Sequence, residues 1–291
     1  MPLSTTLRRL ALGATLASCL APCPALAQRL GAATDSASPP QAATVPGRAL
    51  LTRRDLVAAG ALAAVTIALL PADRQIAEEF RDPGPQRSML LRDGARTFNF
   101  LGDPGTVIAA VGAYGVGRLA HSDHLADLGL HTTEAVVLSG AATALIKGIA
   151  GRQRPYLDRT DSDRFGFGRG FTSGARSSFP SGHTTAAFAV ASAVTEETRD
   201  WWPNAPWIVG PVLYGGAGLV GLARVYADKH WASDVVLGAG LGTLSGLSVV
   251  RYNHARPHNR VNRWLGVARA AAPTVTPGPN GLALAWRVTT R

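Results

Sequence analysis

Acidic residues, lysine and cysteine are all scarce in this 291-residue chain. Only 16% of its residues are charged, against about 25% in an average soluble domain. Lysine occurs twice, at Lys147 and Lys229, so the net charge of +10 is carried almost wholly by arginine. Glycine and proline stay below the level of a low-complexity chain, and 46% of residues are hydrophobic, which excludes disorder. Both cysteines, Cys19 and Cys23, fall in the first 27 residues. A disulfide framework or a thiol nucleophile in the rest of the chain is therefore excluded. Strand signals are scarce before residue 270, and the short hairpin pattern after it is too small to make a barrel. The remaining expectation is a helical protein of the cell envelope, with an arginine-rich surface suited to anions.

The ends differ from the middle. Residues 1–27 read as an export signal: Arg8 and Arg9, an apolar stretch from Leu10 to Leu20, then Ala25-Leu26-Ala27 as a cleavage site. Leu16-Ala17-Ser18-Cys19 is the alternative, a lipoprotein-type signal with Cys19 lipidated. Residues 28–50 read as a flexible linker rich in Ala, Ser, Pro and Thr. Residues 51–255 form the main domain, and 256–291 a basic tail. Val275 to Val288, around Pro277-Gly278-Pro279-Asn280-Gly281, reads as a β-hairpin.

Within the main domain, apolar runs alternate with polar connectors at 56–70, 105–119, 128–146, 184–194, 205–223 and 232–250. Residues 74–96 carry the mixed pattern of an amphipathic helix, and 156–179 read as a Gly- and Arg-rich loop. The fold class expected is all-α, a six-helix bundle. Ala and Gly inside the runs allow close helix packing. The bundle is expected to be transmembrane, although most runs fall short of the ~20 residues of an upright span; a soluble periplasmic bundle is the alternative. Six spans would put both ends of the domain on one side, where Arg48, Arg53 and Arg54 and the basic tail suit the cytoplasm. A cleaved export signal would invert that order, so the two readings of the N-terminus and of the spans conflict.

Three clusters carry chemistry. Lys147 stands seven residues before Arg154-Pro155, a spacing that on a helix places both on one face. Pro180-Ser181-Gly182-His183 precedes an apolar helix, with Ser181 in a capping position. Arg224 is followed by His230 and then Asp234, whose i, i+4 spacing brings them together on a helix. Each cluster lies where an apolar run meets a polar connector, so a bundle would gather all three at one end. Three cations around a small space need an anion, and a phosphate answers. Ser181 and the backbone N–H of Gly182 at a helix start would add donors.

Read together as KGIAGRQRP, PSGH and ARVYADKHWASD, these segments resemble the type 2 phosphatidic acid phosphatase (PAP2) family, whose fold is shared with acid phosphatases and vanadium haloperoxidases. The spacings match throughout. Ala223 departs from the pattern, which has Ser there. The resemblance implies a six-helix PAP2-type bundle and a phosphatase acting on a lipid phosphate or pyrophosphate. It implies His230 as nucleophile, Asp234 holding the other ring nitrogen, and His183 as general acid. Lys147, Arg154, Ser181, Gly182 and Arg224 would bind the phosphate oxygens. A soluble periplasmic acid phosphatase and a haloperoxidase are the alternatives.

No cofactor and no metal are called for. His121, His124 and His131 lack a matching carboxylate set and read as solvated. Arg159, Arg164, Arg169 and Arg176 in the connecting loop could steer an anionic headgroup. Phe165, Phe167 and Phe171 could meet a lipid tail, and Trp201, Trp202 and Trp207 could form an interfacial belt. The partners expected are a phosphorylated lipid and the membrane. No nucleic-acid-binding fold accompanies the basic tail.

Overall fold

The computed structural model describes residues 52–265 together with 273–278 and 281–286; the export-signal and linker readings lie outside the described residues. Helix α1 (Arg53–Leu69) runs through a 3-10 turn into α2 (Asp73–Arg81). A short α3 (Pro83–Arg87) follows, then α4 (Met89–Phe100), a π-helical turn at Leu101–Gly105, and α5 (Thr106–Leu119). The remaining long helices are α6 (Asp123–Ala150), α7 (Gly182–Thr198), α8 (Ala205–Tyr226) and α9 (Ala232–Ala255), with a short α10 (Arg260–Trp264). With α1–α2 as one rod and α4–α5 as another, this is the six-helix bundle expected. The tail hairpin is present as β1 (Pro273–Gly278) and β2 (Gly281–Trp286), antiparallel, with Gly278 opposite Gly281.

The expected helix over 74–96 is instead three pieces. Pro83 and Pro85 have no N–H to donate and their rings exclude the preceding turn, so the chain restarts at α3 and again at Ser88, which caps α4. Conversely, α6 exceeds its apolar run at both ends. Ser122 caps it by accepting from Leu125 N, and Gly151, left-handed at φ 56°, stops it. A Cβ at Gly151 would sit 1.8 Å from the Gly166 carbonyl, so the stop and the loop above it are built together.

The bundle's interior is made of small residues. Ala135, Ala189, Ala193, Val249 and Val250 form one core cluster, and Ala187, Phe188, Ala191, Ala217, Val220 and Ala239 another. Gly238, Gly242 and Gly246 line one stripe of α9, and α7 lies directly on it. A Cβ on Gly242 would meet the Thr185 carbonyl at 2.2 Å. Large apolar side chains face outward instead: Val57, Ile67, Ile108, Val137, Leu145, Ile208 and Val212 are all exposed. Small residues within and large ones without is the reverse of a water-soluble core and the pattern of helices packed in lipid. Four described helical segments are long and apolar enough to cross a membrane: 53–81, 123–150, 205–226 and 232–255.

Candidate active site

The C-terminal end of α6 and the N-terminal ends of α7 and α9 meet at one end of the bundle, as the alternation of runs and connectors implies. All eight predicted residues lie on these ends, on the loops joining them, or at the end of α8. Ser177 and Ser178 knit them together. Lys147 Nζ donates to the Ser177 carbonyl at 2.6 Å, and Arg154 Nη2 donates to the Ser177 hydroxyl at 3.2 Å. The Ser178 carbonyl lies 2.8 Å from His230 Nδ1, and the Ser178 hydroxyl donates to Asp234 Oδ2 at 2.5 Å. Arg224 reaches in from the last turn of α8 and donates to Asn99 Oδ1 at 2.8 Å.

Two routes differ from the helical spacing argument. Arg154 is not on the α6 face, because α6 ends at Ala150 and Arg154 sits in the following loop, anchored by Nε on the Gly174 carbonyl. His230 is not on α9 either, which begins at Ala232. Asp234, in the first turn of α9, folds back to accept from Trp231 N at 2.9 Å. It stands 3.5 Å from His230 Nδ1, while the Ser178 carbonyl is nearer. Holding the other ring nitrogen, the role expected of Asp234, is thus performed first by Ser178, with Asp234 behind it. A carbonyl only accepts, so Nδ1 carries the ring proton and Nε2 keeps its lone pair.

Ser181 and Gly182 open α7. The Ser181 hydroxyl accepts from Thr184 Oγ1 at 2.9 Å, so its own proton remains to donate elsewhere. Its backbone N–H is bound to the Asp234 carbonyl at 2.9 Å, which fixes the start of α7 to the start of α9. His183 follows in the first turn, packed where the π-helical turn puts Gly102 against it.

His230 is 2% exposed. Burial, joined by the charges of Lys147 and Arg154, pushes its imidazole down to about 3 against the opposing pull of Asp234. The ring is therefore neutral across the physiological range.

Arg152 went unread in the sequence. It is fully buried and sits between two carboxylates: Nη1 to Asp234 Oδ1 and Nη2 to Asp73 Oδ2, both 2.7 Å. It also donates to the Ser233 hydroxyl and the Ser162 carbonyl, and its guanidinium lies over the rings of Phe165, Phe179 and Trp231. Asp73, from the first turn of α2, accepts from Ser233 N. Asp73, Arg152 and Asp234 thus form a buried line that ends beside His230.

At the mouth, Arg81, Arg92, Arg96, Arg159 and Asn99 line a cavity of about 470 Å³. Arg81 and Arg159 both pair with Asp228 there, at 2.6 and 3.1 Å. The loop aromatics Phe165, Phe167 and Phe171 are all exposed, Phe165 least, with its ring edge-on to Phe179. The histidines divide: His124 stacks on Trp201, but His131 is buried and bonded to Glu197, so the solvated reading fails for it.

Residues 129–257 match the PAP2 superfamily model. An 89-residue stretch is 38% identical to a lipid A 1-phosphatase of Porphyromonas gingivalis, over 30% of this chain and 19% of that protein. A 92-residue stretch is 34% identical to an acid phosphatase of Zymomonas mobilis, over 30% of each. The chain thus spans less than a third of the length of these curated relatives. The fold is similar to that of the crystal structure of a transmembrane PAP2 type phosphatidylglycerolphosphate phosphatase from Bacillus subtilis, with TM-score 0.52 and 22% identity over 71% of this chain and 96% of that one. The region that matches the PAP2 superfamily model holds all three motifs and the residues that they bring together.

Proposed function

We propose that this chain is a membrane-bound phosphatase that removes phosphate from a lipid phosphate or pyrophosphate through a phosphohistidine. The observation that carries the reading is the His230 geometry. Nδ1 is held on the Ser178 carbonyl, and a neutral ring presents Nε2 as a nucleophile among three cations.

Nε2 attacks phosphorus as the bond to the leaving oxygen breaks. His183 gives that oxygen its proton, then takes one from the water that cleaves the N–P bond and returns His230. Positive charge grows on the His230 ring in the first step, and Asp234, held ionised between Arg152 and Ser178, faces it. Lys147, Arg154 and Arg224, with the Ser181 hydroxyl and the Gly182 N–H, neutralise the transferring oxygens.

Phosphatidate, phosphatidylglycerophosphate and undecaprenyl pyrophosphate are the substrate types carried by the resemblance. The partial relative that acts on lipid A 1-phosphate supports a lipid substrate. So do the outward apolar helix faces, the exposed Phe167 and Phe171 beside the site, and the arginine-lined cavity able to hold an anionic headgroup. The test is phosphate release from a panel of lipid phosphates by detergent-purified protein. His230→Ala and His183→Ala are each expected to lose about 10³-fold or more, with vanadate inhibitory. Full activity in His230→Ala overturns the reading. A preference for soluble phosphomonoesters, with release from cells by osmotic shock alone, would favour a periplasmic acid phosphatase instead.

A further inference from the structure

A second cluster of functional side chains lies at the other end of the bundle. His131 comes from the third turn of α6, Glu197 from the last turn of α7 and His254 from the last turn of α9. Sixteen residues of α6 separate His131 from Lys147, about 24 Å along the helix, so none of this reaches the phosphate site. Glu197 Oε2 stands 2.8 Å from His131 Nδ1 and 3.0 Å from His254 Nε2. One potential ligand atom from each residue lies within 4.8 Å of the others. It is the one such group among the described residues.

We infer that His131, Glu197 and His254 form a binding site for a divalent transition metal of the zinc type, tying α6, α7 and α9 together. Two imidazoles and a carboxylate are a zinc donor set, and with metal–ligand bonds of about 2.0–2.2 Å a tetrahedral site has edges of about 3.3 Å. The observed separations need to open by only a few tenths of an ångström to admit the ion. The surroundings fit as well. His254 Nδ1 lies 3.3 Å from Asp200 Oδ2, the carboxylate–histidine arrangement that fixes which nitrogen faces a metal. His131 Nε2 is buried with no hydrogen-bond partner among the described residues, so it is open to take up the ring proton when Nδ1 turns to an ion. On metal binding the proton now on His131 Nδ1 moves to that vacant Nε2. His254 keeps a proton at Nδ1 toward Asp200 and releases to solvent the one that its Nε2 shares with Glu197, so Glu197 Oε2 exchanges two shared protons for the ion. His131 and Glu197 are buried, while His254 is 29% exposed on its side chain, which leaves an entry path and room for water as a fourth ligand.

The experiment uses tag-free, detergent-purified full chain, stripped with chelator, loaded with zinc and dialysed before metal analysis. About one zinc per chain is expected in the wild type. Glu197→Gln, His131→Ala and His254→Ala are each expected to hold less than a tenth of that, and His230→Ala to hold as much as wild type. Cobalt in place of zinc should give the visible absorption bands of a four-coordinate site in wild type and lose them in Glu197→Gln. Folded wild type that retains no zinc overturns the site, as do Glu197→Gln and His254→Ala variants that retain it in full. His254→Ala alters only a partly exposed side chain, so its result stands even if His131→Ala fails to fold.

Discussion

At the scale of single residues, the chemistry of the phosphate site depends on groups that hold others. Arg152 faces two carboxylates as buried as itself, and removing it leaves both uncompensated. A buried ion pair broken from one side costs about 3–5 kcal/mol. Arg152→Ala is therefore expected to lower the unfolding free energy by about that amount. Phosphate release should fall more than the stability loss explains, because Asp234 loses the partner on Oδ1. Arg152→Lys is expected to recover part of the stability but less of the activity, since one ammonium cannot span Asp73 and Asp234 together. The comparison of melting curves with kcat in both variants checks this. His230 adds a pH dependence. Its folded value of about 3 lies below the usual 6.5, so the unfolded chain binds the extra proton first as pH falls. Stability is thus full above pH 6.5 and declines from there toward pH 3, by up to about 1.4 kcal/mol per unit. In His230→Gln that part of the slope should vanish, as chemical denaturation at pH 5 and pH 7 can measure. Meanwhile kcat/KM should show no acid limb from His230 between pH 4 and pH 7.

These residues also mark how far the sequence could be read. The spacing within each motif was enough to select eight residues that the fold gathers at one end. It could not reveal Arg152, which lies inside the first motif but acquires its meaning from Asp73, 79 residues earlier, and from Asp234, 82 residues later. Nor could it reveal that Ser178, one of a run of polar loop residues, would carry the hydrogen bond expected of Asp234. Periodicity describes one element at a time, and His131, Glu197 and His254 each belong to a different helix, so their meeting was equally hidden.

At the scale of elements, the glycine stripe on α9 decides how closely α7 approaches, and with it the separation of His183 from Asp234. A side chain at Gly242 has no room beside the Thr185 carbonyl. Gly242→Val is expected to push the two helices apart, lower the melting temperature by several degrees or more, and reduce phosphate release with it. Among the described residues, Gly112 and Gly215 meet nothing within 4 Å of an added Cβ. Alanine at those positions is expected to be neutral or to stabilise by up to about 1 kcal/mol, by helix propensity alone. Thermal unfolding of the three variants side by side separates a packing role from a mere tolerance of glycine. The composition showed that such a seam was affordable, since the runs were rich in Ala and Gly. Which glycines served it was set by the facing helix.

At the scale of the whole molecule, orientation is the open quantity with the sharpest test. Following the rods in order, α1 begins at the end opposite the phosphate site. Asp55 near its start pairs with Arg251 near the end of α9 at 2.8 Å. Residue 53 and residue 256 therefore share one end, and Ser177, His183 and His230 lie at the other. The arginines do not choose between inside and outside, because Arg81, Arg92, Arg96 and Arg159 line the mouth of the site while Arg251, Arg256 and Arg260 gather at the far end. A lipid phosphatase of the envelope would present its site to the periplasm, with both chain ends of the domain, near residues 53 and 256, in the cytoplasm. In a background with Cys19 and Cys23 replaced by serine, Phe167→Cys is expected to react with an impermeant maleimide on whole spheroplasts. Trp264→Cys should react only after lysis, since both side chains are well exposed. The reverse labelling would place the phosphate site in the cytoplasm, which is the order that a cleaved N-terminal signal followed by six spans requires. One pair of labelling reactions thus decides the side on which phosphate is released, and with it whether the N-terminal segment carries the chain that follows it across the membrane.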